Sequence, residues 1–255
     1  MDLLQRMVEF YSPSGQEAAL ARFLSDKLKQ MGFETALDSV GNLHARIGEG
    51  SKNIFLVGHM DTVPGHIPVR VENGKLYGRG SVDAKGCLAN FIESAKHFKD
   101  SRVLRITVIG CVGEEAESHG AKFLMTQGSK PDFVVIGEPS GWDAITLGYK
   151  GSMRVGYELK RSMTHRGHEA RTAAEAAFHF FSALKTKFSS EKTDFNSVDI
   201  NLTSINTQSD GLTESVTMTL DVRIPLGFNF AQFKQFLSSH GEVAQVTLGP
   251  ETPAF

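Results

Sequence analysis

The chain has 255 residues with 40% hydrophobic content, which is enough to bury a substantial core and long enough for two domains. Its formal charge of −2 and the absence of an arginine-rich face argue against nucleic-acid binding. No basic stretch followed by a long apolar run opens the chain, and no segment approaches the ~20 apolar residues of a membrane span, so we expect neither a signal peptide nor a membrane partner.

The N-terminal segment is predicted to be scaffold. Ser14 stands three residues before Glu17, the spacing of a capping box, and the apolar residues that follow recur at helical intervals over 20–31. Two strands are predicted next, around Glu34–Leu37 and Asn42–Ile47.

A strand and a turn then bring together candidate metal ligands. The apolar run Ile54–Val57 predicts a buried strand, and His59 and Asp61 follow at its carboxyl end, the end of an open α/β sheet where ligands bind. Asp83 stands on a glycine-rich turn before the helical pattern of 87–95. Imidazole and carboxylate groups are ligands for divalent metals.

Two further strands end in the same way. The predicted strand Val103–Val112 is followed by Glu114 and Glu115, and Phe133–Ile136 is followed by Glu138. Acidic residues that cap following helices would explain one such case, but they explain three poorly. Carboxylates gathered at one rim repel each other unless a cation lies between them, so the pattern favours a metal site.

Cys87 and Cys111 are the only cysteines, and both fall in hydrophobic segments. We interpret them as unpaired core residues of a protein in the reducing cytoplasm.

The pattern of predicted strands and helices changes near residue 149. Its predicted order is strand, helix, two strands, helix and strand, which is that of a ferredoxin-like unit. The strand 215–224 alternates almost perfectly between apolar and polar residues, as expected when one face is exposed. We therefore predict a catalytic metal-binding domain (1–148) and a second domain (149–249), with residues 250–255 after it.

Four motifs together resemble one family. GHMDTVPG, GRGSVDAKG, GEEAESHGA and IGEPS, in this order and spacing, are similar to the M20 metallopeptidases and deacylases, the group of acetylornithine deacetylase and succinyl-diaminopimelate desuccinylase. The sequences SVDAKGCLA and GYKGS most resemble those of the acetyl-lysine deacetylase-like branch, which releases lysine or ornithine from an amino-group carrier protein.

The resemblance implies a fold and a metal centre. The fold is a mostly parallel α/β zinc-peptidase-like domain with an inserted ferredoxin-like lid, through which the chain forms a homodimer. The centre holds two Zn²⁺ ions, for which Co²⁺ or Mn²⁺ are alternatives. By position, Asp83 bridges the ions, His59 and Glu138 hold one of them, and Glu115 belongs to the other.

The resemblance also implies catalytic roles. Glu114 would be the general base, and Asp61 would hold the His59 imidazole through its other ring nitrogen. His165 matches a lid histidine that reaches the neighbouring subunit's site and supports the oxyanion. His165 can equally be a solvated loop residue or a helix cap.

The chain departs from the family at its end. It stops at Phe255, about where the family's C-terminal segment begins, and no histidine after the lid remains for the metal of Glu115. Residues 250–255 would be only the start of the family's return to the catalytic domain. The ligand shell of the metal of Glu115 would therefore be incomplete, and part of the sheet would lack its neighbours.

The function implied is metal-dependent amide hydrolysis in lysine or arginine biosynthesis, on an N-acyl amino acid or a carrier-protein conjugate. One alternative is a dipeptidase or general aminoacylase of the same family. An alternative of another class is a non-catalytic metal-binding or dimerisation fragment.

Overall fold

The protein consists of two compact units, which divide between Asp143 and Ala144 in a computed structural model. The structure describes residues 2–141, 143–163, 171–190, 194–241 and 243–255. The functional boundary at 148/149 stays a prediction, because compactness alone does not assign a role to either unit.

The first unit is an α/β layer structure. In chain order it contains α1 (Asp2–Glu9), α2 (Ala18–Gln30), β1 (Glu34–Leu37), β2 (Leu43–Ile47), β3 (Lys52–His59), β4 (Arg70–Glu72), β5 (Lys75–Tyr77), α3 (Lys85–Ala95) with a 3-10 turn after it (Lys96–Phe98), β6 (Leu104–Cys111), α4 (His119–Thr126) and β7 (Phe133–Ile136).

Five of these strands form one mixed sheet in the order β1-β2-β6-β3-β7, while β4 and β5 form a separate hairpin. Strand β3 lies parallel to β6 and β7, and β2 is antiparallel to its neighbours β1 and β6. Four of the five strands therefore run in one direction and only β2 runs in the other.

The core of this unit lies where the helices cover the sheet. Leu20, Leu24 and Leu28 form the buried stripe of α2, and Leu88 and Ile92 are fully buried on α3. Each such side chain contributes roughly 1.5–3 kcal/mol by leaving water. This packing fixes the sheet that carries the candidate site.

The sheet register sets the relative positions of the site residues. His59 is the last residue of β3 and pairs with Cys111 at the end of β6, while Val57 pairs with Ile136 at the end of β7. The residues that follow these three strands therefore emerge at one edge, as the sequence pattern predicts.

Strand β7 is the outer strand of this sheet. Its four apolar residues, Phe133–Ile136, are between 46% and 65% exposed. A strand of this composition normally packs against protein on both faces.

The second unit is a ferredoxin-like α/β sandwich. It contains β8 (Gly151–Ser162), α5 (Ala173–Phe188), β9 (Asp199–Ser209), β10 (Thr213–Ile224), α6 (Phe230–His240) and β11 (Gln245–Thr252), with the antiparallel sheet order β11-β8-β10-β9. On β10, Val216, Met218 and Leu220 are buried, which confirms the predicted alternation. A capping box of Thr172 and Glu175 begins α5.

The predicted capping box at Ser14 and Glu17 is wrong. Glu17 occupies the N-cap position of α2, but its side chain makes no capping bond there. Both side chains bond instead to loops remote in sequence, as described below.

Both cysteines are free thiols. Burial raises the pKa of Cys111 to about 12, and burial likewise raises the pKa of Cys87. Among the described residues, none of the helices combines the length and apolarity that a membrane span needs.

Candidate metal centre

His59 lies at the centre of the site. Its side chain is 1% exposed, and Nδ1 lies 3.0 Å from the carbonyl oxygen of Asp61. Because a carbonyl oxygen only accepts hydrogen bonds, Nδ1 carries the proton and Nε2 is the ring atom available to a metal.

The Nε2 atom of His59 faces carboxylates from three other loops. It lies 3.2 Å from Asp83 Oδ1, 3.9 Å from Glu138 Oε2 and 4.0 Å from Glu114 Oε2. Burial lowers the pKa of His59, but the Asp61 hydrogen bond and the surrounding negative charges outweigh burial and raise that pKa to about 9.

Asp61 is fully buried and makes four interactions. Its carboxylate lies 3.4 Å from His59 Nδ1 and accepts hydrogen bonds from Ser14 Oγ (2.7 Å) and from the backbone amides of Glu114 and Glu115 (both 3.0 Å). Burial raises the pKa of Asp61, but these hydrogen bonds outweigh burial and lower that pKa to about 2. Asp61 is therefore the ionised residue around which the site is arranged.

Asp83 lies on the turn that leads into α3. Its side chain is 57% exposed and the Asp83–Ala84 peptide bond is cis. Lys85, the first residue of α3, is fully buried and donates from Nζ to the carbonyl oxygen of Phe10 (2.7 Å). Burial lowers the pKa of Lys85 to about 8, against the opposing effect of the Asp61 charge.

The glutamates repel one another. Burial raises the pKa of Glu138 to about 7, and the charges of Glu114, Asp83 and Glu115 add to this increase while His59 opposes it. Burial and the charge of Asp83 likewise raise the pKa of Glu115. The cluster is thus more negative than its own positive charge can balance.

These residues fit a divalent metal. The donor atoms form two groups, and within each group all of them lie within 4.8 Å of one another. One group is His59, Asp83 and Glu115, and the other is His59, Glu114 and Glu138. One imidazole nitrogen with several carboxylate oxygens suits Zn²⁺, Co²⁺ or Mn²⁺. A cation would also relieve the carboxylate repulsion.

The structure brings five of the predicted ligands and catalytic residues around His59, namely Asp61, Asp83, Glu114, Glu115 and Glu138. The division of labour among them stays a prediction, because Glu114 lies as close to His59 as Glu138 does. His165 falls in 164–170, outside the described residues.

Side chains from earlier segments hold the acidic loop. The backbone amide of Val112 donates to Asn42 Oδ1 and that of Gly113 donates to Glu17 Oε1, each at 3.0 Å. With the two bonds to Asp61, four successive amides, those of residues 112–115, are bound by side-chain oxygens. The roles of Ser14, Glu17 and Asn42 were missed from sequence, because their partners lie 47, 96 and 70 residues away. Their positions close to Gly15 and Gly41 were the only local signal.

A glycine permits the bend after β6. Gly113 has φ +67°, and a Cβ at this position would lie 2.2 Å from Cε1 of His119. His119 therefore packs on the loop.

A separate cleft of about 460 Å³ lies over strands β1, β2, β3 and β6. Its lining includes His44, Arg46 and Arg105 and none of the clustered carboxylates. The chemistry of the metal cluster therefore does not extend to this cleft.

Comparison with protein families decides the assignment. The model of peptidase family M20/M25/M40 matches residues 55–239. The chain belongs to this family. The match includes every M20 motif of the first unit and most of the second unit.

Curated M20 relatives point to one branch of the family. A LysW-lysine hydrolase of Deinococcus radiodurans is 38% identical over 235 residues, which cover 88% of this chain and 65% of that protein. A putative LysW-lysine/LysW-ornithine hydrolase of Pyrobaculum aerophilum is 32% identical, over 99% of this chain and 75% of that protein. Another such protein, of Pyrococcus furiosus, is 49% identical over 61% of this chain and 46% of its own length. The chain thus spans less than two thirds of the first of these relatives.

Two solved peptidase structures share the fold. A tripeptidase from Staphylococcus aureus superposes with a TM-score of 0.74 at 19% identity, covering 100% of this chain and 75% of that one. An M20 metallo-carboxypeptidase from Sulfolobus solfataricus gives a TM-score of 0.69 at 17% identity, covering 96% and 76%. At these identities the likeness confirms the predicted fold alone.

Proposed function

We propose that this chain carries the metal centre of an amide hydrolase that releases lysine or ornithine from a carrier-protein conjugate, in amino-acid biosynthesis. The observation that carries the proposal is the gathering of His59, Glu114, Glu115 and Glu138 at the ends of β3, β6 and β7, with Asp83 from the turn before α3. The relatives named as LysW-lysine and LysW-ornithine hydrolases support the substrate class.

The proposed ligands follow the family pattern. His59 and Glu138 would hold one zinc ion, Glu115 would belong to a second, and Asp83 would be shared between the two. Cobalt or manganese suits the same donors. When bound, these ions supply Lewis-acid chemistry for the amide carbonyl and the attacking water.

Glu114 is proposed as the general base. Its side chain is 40% exposed, so it reaches a substrate, and its backbone is fixed by the bond to Asp61. A carboxylate held there accepts a proton from water and passes it to the leaving amine. Asp61 orients His59 and holds the loop without contacting substrate.

The second unit is proposed to serve as a lid and to form a homodimer. His165 would then support the oxyanion in the site of a second copy. Arg223, 53% exposed and 3.4 Å from Asp221, is available to bind a substrate carboxylate or remains a solvated strand residue. The free thiols Cys87 and Cys111 support a cytoplasmic location.

The test is the zinc content of the purified chain, measured together with release of lysine from a carrier-protein conjugate. We expect bound zinc and turnover, with Glu114→Gln keeping the metal and losing at least 100-fold in turnover. Metal binding without turnover would overturn the claim that these 255 residues hydrolyse the conjugate. Absence of both would overturn the metal-centre proposal.

A further inference from the structure

The turn before α2 contacts the site at three points although it lies about 50 to 100 residues away in sequence. Ser12 Oγ donates to the carbonyl oxygen of Met60 (2.8 Å), Ser14 Oγ donates to Asp61 Oδ2 (2.7 Å), and Glu17 Oε1 accepts from the amide of Gly113 (3.0 Å). We propose that Ser14 and Glu17 are positioning residues, which set the loop of Glu114 and Glu115 and thereby the affinity of the site for its metal. This inference rests on the proposed metal centre.

Glu17 acts on the beginning of the loop. Its side chain is nearly buried, at 5% exposure, and Oε1 accepts hydrogen bonds from the amides of both Gly15 and Gly113. Burying a carboxylate is unfavourable unless hydrogen bonds compensate for its lost hydration. One oxygen atom thus joins the N-terminal turn to the residue directly before Glu114.

Ser14 acts on the same loop through Asp61. Its hydroxyl bonds to Oδ2, the oxygen that also accepts the amide of Glu115, while Oδ1 accepts the amide of Glu114. The carboxylate can keep both amide bonds only in one rotational position. Ser14 is the third donor that holds it there.

The geometry required of a metal site makes these bonds consequential. Ligand positions must be held within roughly 0.5 Å, and loss of a partner that orients a ligand typically lowers metal affinity about 10–100-fold. Ser14 and Glu17 lie at opposite ends of the turn, and both help to hold the backbone that carries Glu114 and Glu115. Their loss therefore affects Glu115 as a ligand and Glu114 as a base together.

The test compares removal of each group with its conservative replacement. Ser14→Ala and Glu17→Ala remove the bonds, Ser14→Thr keeps the hydroxyl, and Glu17→Gln keeps an acceptor oxygen for the amide of Gly113. Ser25→Ala is the control, because the Ser25 hydroxyl is also hydrogen-bonded to a side chain remote from its own turn, but its partner is Thr35, outside the site. The readouts are Zn²⁺ affinity by chelator competition, the visible spectrum of the Co²⁺-loaded chain, and urea unfolding with the metal removed.

We expect both alanine variants to bind Zn²⁺ about 10–100-fold more weakly and to alter the Co²⁺ spectrum. Ser14→Thr, Glu17→Gln and Ser25→Ala should stay within about threefold of the wild-type affinity. Equal affinity and spectra in all variants, with a wild type that binds zinc, would overturn this inference alone. A wild type that binds no divalent ion would overturn the proposed metal centre, and this inference with it.

Discussion

One ring nitrogen of His59, Nδ1, faces both the backbone carbonyl and the carboxylate of Asp61. Nδ1 lies 3.0 Å from the Asp61 carbonyl oxygen and 3.4 Å from its carboxylate. The same carboxylate binds the amides of Glu114 and Glu115. Asp61 therefore couples the orientation of a ligand on β3 to that of the loop after β6.

Replacing Asp61 should affect both stability and metal binding. Asp61→Ala leaves two partly buried amides unpaired, so we expect the free energy of unfolding of the metal-free chain to fall by about 3 kcal/mol. Zinc affinity should fall at least 10-fold. Urea unfolding and chelator competition measure the two effects. Asp26→Ala is the control, since that carboxylate is 76% exposed, and an equal loss in both variants would contradict the role of Asp61.

Glu138→Gln should have opposite effects with and without metal. The folded-state pKa of about 7 exceeds the ordinary glutamate value of 4.5, so ionised Glu138 destabilises the metal-free chain increasingly as pH rises from about 4.5 through 7. At pH 8, with zinc removed, the free energy of unfolding of the glutamine variant should exceed that of wild type by about 1–3 kcal/mol. Urea unfolding measures this difference.

With zinc present, the order of stability should reverse. A ligand at 100 times its Kd stabilises the folded state by about 2.7 kcal/mol, and the variant loses much of that gain. Glu117→Gln, an exposed change on the same loop, should show neither effect. Finding Glu138→Gln less stable than wild type under both conditions would argue against electrostatic crowding.

Gly113→Ala should destabilise the chain more than Gly128→Ala, although the two glycines have nearly the same φ. Gly128 has φ +66° with nothing within 4 Å of a built Cβ, whereas at Gly113 (φ +67°) the His119 ring occupies that space. Both changes carry the left-handed penalty of roughly 1–2 kcal/mol. Thermal unfolding should show about 1 kcal/mol more at Gly113, and the excess should vanish in a His119→Ala background. Equal costs would contradict this packing.

Asp38 should stabilise the chain in a pH-dependent way. One of its oxygens accepts from the amides of Val40, Gly41 and Asn42, and the other accepts from the Asn42 side chain and His44. Burial raises its pKa, but the hydrogen bonds outweigh burial and lower that pKa below 3.8. Its contribution is therefore complete above pH 4 and is lost as pH falls through the lowered value.

Asp38→Asn should accordingly cost about 2 kcal/mol at pH 7, and the difference from wild type should shrink below pH 4. Urea unfolding across pH 2–7 in the presence of chelator measures this dependence. A difference that stays constant with pH would show that the carboxylate charge plays no part.

Patterns within a single segment predicted the elements and the cluster. The apolar runs before His59, Glu114 and Glu138 became β3, β6 and β7, and because parallel strands share an edge, their following residues converge. The interpretation of Ser14 and Glu17 failed because a capping spacing is a local signal, whereas their actual partners lie 47 and 96 residues away. Such pairings depend on how the whole sheet packs, which no local window contains.

The order of the loop's partners along the chain has a consequence for synthesis. The acceptors for residues 112–115 are Glu17, Asn42 and Asp61, which precede their donors by 96, 70 and about 53 residues. A chain made from its N-terminus therefore already contains all three acceptors when the acidic loop is translated. Each of these four amides therefore meets an acceptor that was synthesised before it.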